Sequence, residues 1–237
     1  TGSTNIGYKS AVDANQAVSV GARNSVDANA QYGTAVGYFT RVTAKNAVAI
    51  GSSNDNNGNS DEGKVLASAE SAVAIGTSAH AEAASAVAIG TKAKAQAAET
   101  VAIGESAQAT KQNANAFGSQ AIASGESALA LGSGSNATAD SAVSIGNDAN
   151  ATAKSSVAIG ESTNATGVFS TAIGDSSTAS GTRSVAVSTN AKASGESSLA
   201  IGTESNSSKE NAIAIGERSN AANQNAVAIG ARANATH

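Results

Sequence analysis

The amino-acid sequence predicts an all-β fold, a parallel β-solenoid with one thin coil every 14 residues. Three observations carry that expectation. Glycine returns at a fixed interval, a short β-branched alternation precedes it, and large side chains are scarce.

The interval comes first. Gly76, Gly90, Gly104, Gly118, Gly132, Gly146, Gly160 and Gly174 are spaced 14 residues apart without a slip. Ser188 takes the next place, and Gly202, Gly216 and Gly230 continue the column. Upstream it runs through Gly7 and Gly21, then Gly37 after a step of 16, then Gly51, from which Gly76 is 25 residues away. About 16 coils therefore cover residues 1–237 as one repeat domain. A fixed period of this kind is the mark of a stacked array, in which each unit buries its apolar side against its neighbours.

The strands follow from the residues around the glycine. Val73, Val87, Val101, Val143 and Val157 stand three places before it, and Ile75, Ile89, Ile103, Ile145 and Ile159 one place before it. Alanine lies between them in nearly every coil, so the segment alternates with period two, as a short strand does. A second alternation follows the glycine, with Ala79/Ala81, Ala93/Ala95, Ala107/Ala109 and Ala149/Ala151 flanking polar residues such as His80, Lys94, Gln108 and Asn150. Each coil thus reads as strand, glycine turn, strand, turn. The β-branched side chains are expected to point inward against the small alanines of the second strand, large filling small.

Composition bounds the interior. The 237 residues contain no Cys, Pro, Met or Trp and only three Tyr and three Phe, too few bulky groups for a deep globular core. Disorder is the other way to live without aromatics. Charged residues make up only 14%, against 41% apolar, and this favours a thin core instead. Ordering fourteen residues for two aliphatic side chains is a poor return for a lone coil. The alternate face of the first strand carries no charge: Ala74, Ala88, Ala102, Ala116, Ala130, Ala158, Ala172, Ala186, Ala200, Ala214 and Ala228. That methyl column is expected to face other copies of the chain.

Function classes narrow in the same way. A net charge of −4 with scattered Lys and Arg argues against a nucleic-acid partner. No Ser/His/Asp grouping, phosphate-binding glycine loop or paired catalytic carboxylates stand out, so neither an enzyme nor a cofactor is expected. Hexapeptide acyltransferase periods are missing, and Thr110, Thr138, Thr152, Thr166 and Thr236 make one broken column, not the paired threonine ladder of an ice binder. His80 and His237 read as solvent-facing. Asn136, Asn150, Asn164 and Asn234 each open an Asn-Ala-Thr sequon, but are better explained as a stacked amide ladder.

The departures from the repeat locate irregular places. Two extra residues between Gly21 and Gly37 should bulge one turn, and Val12, Val26 and Val42 should widen the early core. Residues 52–63 form an inserted polar loop. Within it Asp55, Asn57, Asn59, Asp61 and Glu62 offer oxygen ligands, but Gly58 is misplaced for an EF-hand, so a solvated recognition loop is preferred to a calcium site.

The string Ser-Ala-Val-Ala-Ile-Gly, at Ser71–Gly76 and again at Ser85–Gly90, resembles the head repeat of the YadA-like trimeric autotransporter adhesins. The resemblance implies a left-handed parallel β-roll assembled as a homotrimer. It also implies a projection from a bacterial outer membrane, reaching that membrane only through an anchor outside this segment. The implied function is attachment to host extracellular-matrix protein, a cell-surface receptor or other bacteria. The alternative is a structural spacer whose binding tip lies elsewhere.

Overall fold

The structure is a computed structural model and describes residues 2–53 and 63–236. The chain is a parallel β-solenoid of about 16 coils, with strands and turns and no α-helix among the described residues. It groups into two compact units, residues 1–120 and 121–237. In each unit the first strands of successive coils pair in parallel to make one sheet, and the second strands make another.

The register is one residue to its repeat equivalent. In the first unit Val87 pairs with Val101, Ala88 with Ala102 and Ile89 with Ile103. In the second, Val143 pairs with Val157, Ser144 with Ala158 and Ile145 with Ile159. A parallel ladder between equivalent residues stacks like on like, which is why each column of the sequence keeps its chemistry.

Between the strands the chain turns on left-handed residues. In the coil of Gly90 these are Ser85 (φ 56°) and Lys92 (φ 59°). Left-handed backbone costs an L-residue about 1–2 kcal/mol. The conformation aims the N–H back at the preceding coil, where Ser85 donates to Glu70 O at 2.9 Å and Lys92 to Thr77 O at 2.8 Å. Glycine is needed where φ goes further. A Cβ at Gly104 (φ 136°) would stand 2.3 Å from the carbonyl oxygen of Gly118. Ser188 occupies that column at φ 106°. Ser188→Gly should therefore stabilise the chain by about 1 kcal/mol, seen as a higher urea midpoint at unchanged slope. An unchanged or lower midpoint would mean that Ser188 carries no strain.

The shorter of the two irregular spacings falls where expected. Val18 pairs with Thr34 and Val26 with Val42, each across 16 residues, so the two extra residues sit between Val26 and Thr34. There Ala30 N–H donates to Asp27 O and Gly33 N–H to Ala30 O, both at 2.9 Å, closing the enlarged turn. Val26, Val42 and Val65 are the largest fully buried side chains among the described residues, and the early interior is wider accordingly. Register resumes after the longer insertion with Thr40 paired to Val65.

Which face points inward is the reverse of the expectation. Ala74, Ala88, Ala102, Ala116, Ala130, Ala158, Ala172, Ala186, Ala200 and Ala214 are 0% exposed and Ala228 3%. They line the chain's own interior and cannot face another copy. Val73 and Ile75, with their equivalents, lie on the outer side of the first sheet and are only partly buried. The interior is fed by four small positions per coil, such as Ala72, Ala74, Ala79 and Ala81, all 0% exposed. Its thinness is the physical reason. The Ser144 hydroxyl, on the first strand, reaches the Ala149 carbonyl on the opposite wall at 2.7 Å. A gap bridged by one serine side chain has no room for isoleucine.

In the second unit several of these positions are serine. Ser135, Ser156 and Ser219 hydroxyls donate to carbonyls three residues back. Those of Ser170, Ser177, Ser184, Ser198 and Ser205 are buried without a partner. They fall in the coils around Ser188, the least well satisfied stretch of the second unit.

Candidate functional site

Each unit presents two unlike outer faces. On the first sheet, Val and Ile point outward from every other residue, with alanine sealed between them. In the second unit this face includes Leu131 at 45% exposed, Ile173 at 38%, Ile201 at 37% and Ile229 at 67%. In the first unit it includes Ile6 at 59%, followed by Val87/Ile89 and Val101/Ile103, which are partly buried. An extended aliphatic face exceeds the scattered apolar residues normal on a monomer, and faces of that kind mark interaction surfaces.

The outer side of the second sheet is polar and laddered. Asn136 Nδ2 donates to Gly134 O at 2.9 Å and to Asn150 Oδ1 at 3.0 Å. Asn206 Nδ2 donates to Asn220 Oδ1 at 2.8 Å, and Asn220 Nδ2 to Asn234 Oδ1 at 2.9 Å. The expected ladder is therefore partial: Asn136, Asn150 and Asn234 take part in amide bonds between coils, whereas the Asn164 amide donates within its own coil to Ser162 O at 2.9 Å. Ion pairs also join neighbouring coils. Arg218 reaches Glu204 at 2.7 Å, and its hydrogen bonds and charge hold the Glu204 carboxyl below the usual carboxylate range. Arg41 meets Asp27 at 3.2 Å. Exposed pairs of this sort contribute little to stability singly.

Of the residues singled out by sequence, Asp55, Asn57, Asn59, Asp61 and Glu62 lie outside the described residues, as does His237. The alanine column is interior, as described above. His80 is not solvent-facing: it is 5% exposed, with Nδ1 2.9 Å from Glu82 Oε1 and Nε2 buried without a partner. Its backbone pairs with Leu66 on one side and Lys94 on the other, and Leu66 at 8% exposed shares the burial of that column. Among the described residues no three His, Cys, Asp or Glu side chains are grouped to hold a metal ion. Among the described residues no helix is long and apolar enough to cross a membrane.

Sequence reasoning missed the outward role of Val and Ile, although a signal was present. The column before the glycine holds Phe117, Leu131 and Val187 as well as Ile, and the column three before holds Asn115 and Thr171. The inner columns hold nothing larger than threonine from residue 67 onward. Tolerance of size belongs to an outer face, and strict smallness to a packed interior.

A repeating two-strand coil, an alanine interior and an aliphatic outer sheet together define a β-roll repeat protein that presents its surfaces for contact. The family model for the YadA head domain repeat matches residues 28–54, 67–93, 95–121, 109–135, 123–149, 137–163, 165–187, 189–205 and 207–233. This covers most of the chain, which belongs to that family, the head repeats of YadA-like trimeric autotransporter adhesins. No curated protein matches the chain.

Proposed function

We propose that three copies of the chain pack through their Val/Ile faces into a left-handed β-roll head. This head attaches a bacterium to host cells, extracellular-matrix proteins or other bacteria. The observation that carries the reading is the aliphatic outer face, interrupted in its columns only by Thr4, Thr34, Asn115 and Thr171, over an interior that has no further room for it. Covering a partly exposed Val or Ile contributes about 1 kcal/mol, and the gain recurs in every coil. Family membership supports the number three and the location, an extracellular projection from a bacterial surface. The polar, laddered second sheet then faces outward on each of three copies, where weak contacts sum by avidity.

Sedimentation equilibrium should give the mass of three chains at micromolar concentration, and the trimer should be retained on at least one of immobilised collagen, fibronectin and laminin. A monomer would remove the assembly. A trimer silent on every surface would favour the spacer reading.

A further inference from the structure

The Val/Ile face can supply affinity between copies, but it supplies no alignment. Its columns repeat coil by coil, valine paired with valine and isoleucine with isoleucine, as in Val87/Val101 and Ile89/Ile103. A copy slid along another by one coil therefore meets the same aliphatic pattern again and loses contact only at an end. A polar residue in an otherwise apolar seam breaks such a degeneracy, as it does in coiled coils. One coil departs from the pattern twice. Asn115 is the only amide in its column, and Phe117 is the only aromatic residue in the column before the glycine. The two share the strand Asn115–Phe117, on either side of Ala116. Ala116 is 0% exposed, so Asn115 and Phe117 stand together on the outer side of the first sheet, both partly buried.

We propose that Asn115 and Phe117 form the layer that fixes the register between copies, each copy docking with its own Asn115 at the height of the others. This rests on the assembly through the Val/Ile face proposed above. Asn115 Nδ2 donates to Asn113 O at 2.9 Å within its own coil, which orients the amide. Its Oδ1 and second N–H have no partner among the described residues and are left to water or to another copy. Once covered by another copy, the amide needs a polar partner there or loses its hydration uncompensated. In register the layer contains the amide of every copy, and the short Asn115 leaves volume for the larger Phe117 beside it. Slid by one coil, the amide instead faces the layer of Val101 and Ile103, whose side chains neither donate nor accept. Phe117 then overfills a layer built for isoleucine. Thr4, Thr34 and Thr171 discriminate less, because a hydroxyl can turn to a nearby backbone carbonyl.

The test produces two forms of the full chain in one cell, one carrying a mass tag, and weighs the intact assemblies by native mass spectrometry. Tagged and untagged parent chains should combine at random, with about three-quarters of the trimers containing both. Asn115→Val is compatible with the fold, because valine holds the equivalent position at Val87 and Val101. Parent and Asn115→Val chains should sort instead. Their mixed trimers should fall at least about fivefold below the random share, because each leaves an amide facing valine. Gln108→Asn changes the polar second sheet, where asparagine holds the same column at Asn136, and should combine with the parent at random. Random combination of the parent with Asn115→Val, or equal sorting by Gln108→Asn, would overturn the register layer while leaving the trimer standing. Single chains in every sample would remove the assembly itself, and the layer with it.

Discussion

Substituting Asp for Ile145, Ile159, Ile201 and Ile215 should reduce the assembly to single chains. All four lie on the outer side of the first sheet of the second unit, partly buried or just exposed in the isolated chain, so each carboxylate reaches water there. Facing two other copies, the same carboxylates lose water and meet like charges. About 1 kcal/mol of aliphatic burial is lost at each site, and an unpaired buried charge adds several more. Association should weaken at least about a thousandfold on this account, read as single-chain mass in sedimentation with the β-sheet circular dichroism retained. The effect has a sign in pH. Burial among like charges raises the carboxyl pKa in the assembly, so association should return as pH falls and the groups protonate, and be lost again as pH rises. A quadruple variant that sediments like the parent at neutral pH would show that this face is not the interface.

Ala158→Leu should instead damage the chain itself. Ala158 is 0% exposed and pairs in register with Ser144 and Ala172, whose columns are equally closed. Overpacking commonly costs 1–3 kcal/mol, and here the opposite wall is backbone within reach of a single hydroxyl, so at least about 3 kcal/mol is expected. Chemical denaturation at a protein concentration where the oligomer is constant measures it. Ile159→Leu, one residue away on the outer face, should change stability by less than about 1 kcal/mol. The two neighbours exchange roles if alanine faces the other copies: Ala158→Leu then leaves the fold intact and weakens association. That outcome would restore the sequence-based orientation.

The repeat, the strand positions and the turns were legible because each depends on local chemistry. Gly104 is required by a carbonyl of the following coil, and the same need recurs every coil, so the column is visible without coordinates. The bulge before Thr34 and the wide early core, filled by Val26 and Val42, were legible for the same reason. His80 was not, because its burial comes from what stacks on it, and nothing in its own neighbourhood of sequence announces Leu66 as its partner.

Sequence by itself determined the class of fold, the coil length and the presence of two chemically different sides on the first strand. A period of two distinguishes those sides but assigns neither to the interior, since aliphatic and methyl faces are both apolar. The tertiary structure decided between them through one dimension, the distance between the two sheets of a coil. That gap admits alanine, serine and threonine, with valine and Asn24 only in the early coils, and sends Val73, Ile75 and their equivalents outward.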